Sequence, residues 1–183
     1  MKTDLSKYDN SWYNPGGSAF KRILWYFTNA LFMKNHLNPF SDLKVRLLRA
    51  FGAKIGKGVV IKPGVNVKYP WLLTIGDYSW IGEDVWIDCL DQVIIGSNCC
   101  ISQGAMLLCG NHNYKLSTFD LIVKPISVKD GAWIGAKSVV CPGVVVGTNA
   151  VLSVGSVANR NLSDNKIYFG IPAELVRDRD GYN

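Results

Sequence analysis

The chain has 183 residues, enough for one domain of about 20 kDa and short for two. Apolar residues make up 48% and charged residues 19%, which excludes a disordered chain, and 18 Gly beside 7 Pro suggest many strands turned at short intervals. The formal charge of +6 favours phosphate-bearing ligands or an anionic surface, but Lys and Arg are scattered from Lys2 to Arg179 instead of clustered, so no nucleic-acid partner is expected.

The amino terminus, Met1 to Gly17, is polar and aromatic, so no signal peptide is expected to begin there. Ser18 to Met33 reads as a helix, with Lys21 and Arg22 on an otherwise apolar and aromatic segment. Its apolar run, Ile23 to Met33, is too short to span a bilayer. Such a helix either docks on the rest of the fold or makes a peripheral membrane contact through residues 18–33, and its few cations favour docking. After Pro39, Ser41 is expected to cap a second amphipathic helix running through Phe51 and ending at Gly52.

From Ile55 onward an aliphatic residue recurs every six positions: Ile55, Ile61, Val67, Ile75, Ile81, Ile87, Ile95, Ile101, Leu107, Val128, Ile134, Val140, Val146, Leu152 and Ala158. Fourteen of these fifteen are Ile, Leu or Val, where a composition of 49 such residues in 183 would place about four. The fifth place of each unit is mostly small, as at Val59, Ser79, Cys99, Ala105, Ala132 and Ser138, which lets the chain turn a tight corner. Hexapeptide repeats mark parallel β-helices, in which three short strands form an eighteen-residue coil and coils stack about 4.8 Å apart.

Five coils follow, at 55–74, 75–94, 95–127, 128–145 and 146–163, and every residue in excess of eighteen falls after the third unit of its coil. One corner therefore takes all the insertions, among them a loop over 111–124. The expected organisation is a capping segment at 1–54, the β-helix at 55–165 and a short extension at 166–183, the flanking pieces covering the open ends of the stack.

Loops on a rigid scaffold concentrate function, and this one opens with Asn111-His112-Asn113-Tyr114. His112, one of two histidines, is the candidate catalytic group; His36 reads as structural. Asp91 lies twenty residues before Asn111, one coil below, and is a candidate to orient His112. Glu83 and Asp84 are further acidic candidates for substrate binding, able to meet a His112 across an oligomer interface. Two histidines cannot furnish the three protein ligands of a catalytic zinc, and five cysteines without a CxxC pair read as reduced core residues, so no metal is expected. GxSxG, Walker A and Rossmann motifs are absent from the sequence.

Several segments together resemble the hexapeptide-repeat acyltransferases, and more narrowly the colanic acid biosynthesis acetyltransferase family within the maltose/galactoside acetyltransferase group. They are Tyr8-Asp9-Asn10-Ser11-Trp12-Tyr13, Asn38-Pro39-Phe40, the phased repeat, Gly110-Asn111-His112-Asn113-Tyr114, Trp133-Ile134-Gly135-Ala136 and Gly170-Ile171-Pro172-Ala173. The resemblance implies an all-β, left-handed parallel β-helix, a homotrimer with active sites between subunits and acetyl-CoA as donor; the reduced cysteines point to a cytoplasmic protein. It implies His112 as general base and Trp133, Ala136, Val154, Asn159, Arg160 and Arg177 as residues contacting coenzyme A. The acceptor it implies is a saccharide, bound near Glu83, Asp84, Asp91 and Asn111. Relatives often carry Asn in alignment with Gly82 and Lys where this chain has Glu174. O-acetylation of a cell-surface polysaccharide precursor is the expected activity; N-acetylation of an amino sugar and an inert interaction module stay open beside it.

Overall fold

In the computed structural model, which describes residues 2–179, the chain forms a left-handed parallel β-helix preceded by two helices. The first wall of the prism stacks β1 (Lys54–Ile55), β4 (Leu73–Ile75), β7 (Val93–Ile95), β12 (Ile126–Val128) and β15 (Val145–Val146). The second stacks β2 (Val60–Ile61), β5 (Trp80–Ile81), β8 (Cys100–Ile101), β13 (Trp133–Ile134) and β16 (Val151–Leu152), then β18 (Lys166–Phe169) and an antiparallel β19 (Glu174–Asp178). The third stacks β3 (Asn66–Val67), β6 (Trp86–Asp88), β9 (Met106–Leu108), β14 (Val139–Val140) and β17 (Val157–Ala158). Five full coils are present as the repeat predicts, and β18 adds the beginning of a sixth turn. Residues 180–183 of the predicted extension lie outside the described residues.

All fifteen first-position residues are buried, from Ile55 to Ala158, and pack into one column. Each large aliphatic there contributes about 1.5–3 kcal/mol by leaving water. The fifth-position serines spend their hydroxyls on the backbone of the stack: Ser79 Oγ donates to Gly96 O at 2.7 Å and Ser138 Oγ to Ser153 O at 2.7 Å.

The repeated glycine after the inward aliphatic has a steric cause. A Cβ on Gly76 would lie 2.6 Å from the carbonyl carbon of Gly96 and the nitrogen of Ser97, and one on Gly82 would lie 2.8 Å from the nitrogen of Gln103. Backbone of the next coil occupies the space a side chain would need. Gly82 therefore presents no side chain at this corner, where relatives often carry Asn.

Ser18 caps α1 (Ala19–Thr28), accepting the Lys21 N–H, and the chain continues through a π-helical turn at Asn29–Met33. One side of α1 docks on the lowest strand of the third wall, where Trp25 Nε1 donates to Val67 O at 2.9 Å and Asn29 Nδ2 to Asn66 Oδ1 at 2.8 Å. Its other side leaves Phe20, Ile23, Leu24, Phe27 and Leu31 exposed.

The second helix, α2 (Ser41–Ala50), begins one residue earlier than the capping expectation requires. Ser41 is its first helical residue and Phe40 stands at the cap position; the Ser41 hydroxyl instead accepts the Ile61 N–H at 2.8 Å, tying the helix to β2. Asn38 knots the two helices: its Nδ2 donates to Phe32 O, its Oδ1 accepts the Phe40 N–H, and its carbonyl accepts the wholly buried Lys44 Nζ at 2.6 Å. Arg49 reaches the carbonyls of Ile55 and Gly56. At the opposite end Ala173 N donates to Val157 O and Val157 N to Gly170 O, so both ends of the stack are covered.

Candidate active site

Three corners join the walls, and they are not alike. The first corner, between the first and second walls, turns through left-handed residues at Gly58, Tyr78, Asn98, Gly131, Asn149 and Asn165. The second, between the second and third walls, does the same at Gly64, Asp84, Gly104, Lys137 and Gly155. All excess length sits at the third: a 3₁₀ turn at Pro70–Leu72, the short step through Leu90 and Asp91, and a hairpin. The hairpin pairs β10 (Gly110–His112) with an antiparallel β11 (Leu121–Val123), placing His112 opposite Leu121.

Within this hairpin His112 Nδ1 lies 2.9 Å from the carbonyl oxygen of Phe119. A carbonyl only accepts, so Nδ1 carries a proton, and in the neutral ring Nε2 is the nitrogen with the free lone pair. Phe119 also stacks its ring on the imidazole, 4.3 Å between centroids and 6° from parallel, while its own backbone is left-handed at φ 53°. Tyr8 packs obliquely on the imidazole as well, at 5.7 Å between centroids. Asn111 Oδ1 accepts the His112 N–H at 2.8 Å. The expected orienting role of Asp91 is corrected: its carboxylate accepts the N–H of Gln92 at 2.7 Å, and the Phe119 carbonyl holds the imidazole.

His112 opens into a cavity of about 460 Å³ shared with Tyr8, Tyr13, Arg22, Lys68 and Tyr69. The amino-terminal segment builds its outer wall, anchored by Tyr13 OH donating to Leu90 O at 2.6 Å and Asp4 N donating to Ser117 O at 2.8 Å. Burial pushes the Tyr13 phenol well above its ordinary range, with Tyr69 and Asp88 adding to the rise, so it stays a neutral donor. Beneath, Lys68 Nζ lies 3.4 Å from Oδ1 of Asp88, a nearly buried carboxylate whose Oδ1 has no hydrogen bond.

The second corner gathers other predicted residues. Trp133, Ala136 and Val154 line a groove of about 380 Å³ with Gln103, Ser102 and Ser153, and Trp133 Nε1 donates to Ser102 Oγ at 2.9 Å. The groove is mostly apolar. Asn159 and Arg160 are exposed just beyond β17, and Arg177 is exposed on β19. Lower on the same corner Glu83 is exposed, and Asp84 Oδ1 pairs with His36 Nε2 at 2.6 Å. His36, read as structural from the sequence, therefore holds one of the acidic candidates. Among the described residues no cluster of three His, Cys, Asp or Glu could hold a metal ion, and no helix is long and apolar enough to cross a membrane.

Within one chain the structure thus brings together His112 and Asn111 at the third corner, and Glu83, Asp84, Trp133, Ala136 and Val154 along the second. The third wall separates the two groups. Phe119, Tyr8, Tyr13, Arg22 and Lys68 were not legible as site residues: Phe119 meets His112 only when the hairpin closes, and the others reach its cavity from distant parts of the chain.

The coil stack, together with the similarities that follow, places the chain in the class of hexapeptide-repeat acetyltransferases. The hexapeptide-repeat acetyltransferase VCA0836 of Vibrio cholerae, solved with acetyl coenzyme A, superposes with a TM-score of 0.80 at 21% identity over 91% of this chain and 92% of its own. A galactoside acetyltransferase solved with coenzyme A gives 0.78 at 25% identity over 88% and 82%. No family model matches the chain. WcaF of Escherichia coli, named as a colanic acid biosynthesis acetyltransferase, is 37% identical over 176 residues, covering 96% of this chain and 97% of WcaF. The chain belongs to that family, and is an acetyl-CoA-dependent acyltransferase.

Proposed function

We propose that the chain transfers the acetyl group of acetyl-CoA to a hydroxyl of a saccharide, a precursor of a cell-surface polysaccharide, with His112 as general base. The observation that carries this reading is the bond from His112 Nδ1 to the Phe119 carbonyl, which in the neutral ring makes Nε2 the proton-accepting nitrogen of a residue that lines the cavity. A sugar hydroxyl is a poor nucleophile near neutral pH. As its oxygen bonds to the thioester carbonyl carbon, its proton passes to Nε2. The carbon–sulfur bond then breaks, and the departing thiolate takes the proton back from the imidazolium as coenzyme A. The Ala136 N–H is the donor proposed for the oxyanion between these steps.

The wall between the two groups of site residues supports a homotrimer, in which the third corner of one protomer meets the second corner of its neighbour. Glu83, Asp84, Asp91 and Asn111 are then the acceptor-side residues, and Arg160 and Arg177 pair with phosphates of coenzyme A, helped by Asn159. The donor, together with five unpaired cysteines, supports a cytoplasmic site of action. The exposed apolar side of α1 supports peripheral contact with the inner membrane face, its inner side being docked at the same time.

The test is acetyl-CoA-dependent thiol release over a panel of saccharides and amino sugars. Transfer to hydroxyl acceptors that falls about a hundredfold or more in His112→Ala is expected. Near-normal transfer by that variant removes His112 from the mechanism, preference for amines moves the reaction to nitrogen, and no thiol release with any acceptor favours an inert module. Arg160→Ala or Arg177→Ala should raise the KM for acetyl-CoA.

A further inference from the structure

The segment Tyr8-Asp9-Asn10-Ser11-Trp12-Tyr13 takes no part in the transfer chemistry above, yet it stands over the residue that does. Residues 2–15 run as a strap across the His112 cavity, and Tyr8, Asn10, Tyr13 and Pro15 line that cavity together with the imidazole. A molecule approaching His112 from this side has to pass them. The strap is lightly held. None of its residues is buried, and its large apolar side chains Leu5 and Trp12 are exposed, so lifting it gives up little hydrophobic contact. Among the described residues its hydrogen bonds to the prism run from Asp4 N to Ser117 O at 2.8 Å, from Tyr13 OH to Leu90 O at 2.6 Å and from Trp71 Nε1 to Pro15 O at 2.7 Å. Others, such as the carboxylates of Asp4 and Asp9 accepting the N–H groups of Ser6 and Ser11, close within the strap.

The root of the strap is built differently. Gly16 and Gly17 are both left-handed, at φ 71° and 67°, and no other adjacent pair among the described residues is so. A Cβ on Gly16 would press on Trp71 at 3.1 Å and one on Gly17 at 3.2 Å. Trp71 belongs to the third-corner turn, and Arg22 of α1 donates through Nη1 to the Gly17 carbonyl at 3.0 Å and the Gly16 carbonyl at 3.4 Å. The joint is thereby fixed to the prism on one side and to the helix on the other. Two successive glycines leave the backbone free to swing where other residues would be strained. A fixed root, a hinge and a lightly held arm over a reactive group are the parts of a lid.

We infer that residues 2–15 are a lid on the His112 cavity, which opens about Gly16 and Gly17 to admit the acceptor and closes to keep water from the imidazole. The inference rests on the acetyl-transfer reading above. Water is the competing acceptor: its proton passes to Nε2 as its oxygen bonds to the thioester carbon. The carbon–sulfur bond then breaks, the thiolate takes that proton, and acetic acid and coenzyme A leave with no sugar acetylated. Tyr8 is the part of the lid that meets the imidazole, its ring 5.7 Å away between centroids, so the closed lid covers the group that would activate the water.

The chain's two histidines make a direct probe, since His36 is exposed beside Asp84 and His112 lies under the lid. Diethyl pyrocarbonate is applied to the full-length protein and its labelling is read residue by residue by mass spectrometry. Asp4→Pro with Tyr13→Phe removes two of the three ties and should speed labelling of His112 about fivefold or more, with that of His36 unchanged. Equal His112 rates in the wild-type and released proteins overturn the inference. A second arm follows thiol release from acetyl-CoA with no saccharide present. The released protein should hydrolyse it about fivefold or more faster than wild type, with the excess gone when His112→Ala is added, a gain that loss of folding does not produce. Unchanged hydrolysis in protein whose His112 labels faster sinks the lid. Tyr8→Ala should raise both readouts and Tyr8→Phe, which keeps the ring, should restore them; equal behaviour of the two takes the ring out of the lid. Asp4→Cys with Ser117→Cys, oxidised to tie the strap to the hairpin, should cut transfer to saccharides about tenfold or more until a reductant is added, and full transfer with the strap tied down is a further refutation. Saccharide transfer with no change in labelling on release would end this inference and leave the acetyltransferase reading standing. Labelling that responds to release, without thiol release from any variant, would do the reverse for the reading and leave the cover over His112 in place.

Discussion

The first and third corners of the prism are turned by the same chain at the same coil spacing, yet their polar groups do different work. At the first corner side chains close a ladder from coil to coil: Asp77 Oδ1 accepts the Lys57 N–H, Ser97 Oγ the Asp77 N–H, Asp130 Oδ1 the Ser97 N–H, and Asp164 Oδ1 the Thr148 N–H. At the third corner the carbonyl of Phe119 is spent on an imidazole, and the Asp88 carboxylate lies nearly buried beside a lysine. Where every donor has a partner in the next rung, the corner serves stability. Where groups are aimed at a cavity, the corner has been released from that duty.

The largest effect should come from breaking the regular side. Gly76→Ala forces a Cβ within 2.6 Å of the backbone above it, and should cost about 3 kcal/mol or more in denaturant unfolding. A two-glycine insertion after Lys115, in the third-corner loop, should cost well under about 1 kcal/mol, since loop length is weakly penalised. If both destabilise equally, the contrast between the corners fails. His112→Ala should reverse the pattern, losing about a hundredfold in turnover, roughly 2.7 kcal/mol in activation free energy, at unchanged melting temperature.

Phe119→Asn sharpens the contrast further. Asn tolerates the left-handed backbone and keeps the carbonyl, so only the ring stacked on His112 is lost. Turnover should fall about tenfold, with the KM for acetyl-CoA unchanged. Trp133→Ala, at the second corner, should instead raise that KM about three- to tenfold and leave turnover nearly alone. The smallest effect concerns the core between the corners. Burial raises the Cys89 thiol and pushes that of Cys109 up to about 12, so both should stay unmodified by alkylating reagents near neutral pH until the protein is unfolded.

How far the fold could be read in advance follows from the range of the interactions. The hexapeptide phase is local, so each inward residue from Ile55 to Ala158 was legible, as was the corner that collects insertions. His112 was legible because it stands at the mouth of that insertion. Its partners were not: Phe119 is chosen by hairpin closure, Tyr8 by the fold-back of the amino terminus, and Lys68 by the stacking of two coils. Ser41 misled because a serine before an amphipathic run has the same sequence whether its hydroxyl caps the helix or ties it to Ile61.

The confinement of extra length to the third corner has a consequence for how such a molecule can change. A residue added at either of the other corners would turn the following strand's aliphatics outward and shift every later rung. At the third corner the chain leaves the stack after one wall and rejoins it at the next, as β10 and β11 do without disturbing the pairing of β7 with β12. The prism therefore has a single port through which new segments can be grafted, and that port already opens onto the histidine. Diversification of acceptor choice can proceed there by insertion and deletion while the rest of the column stays as it is.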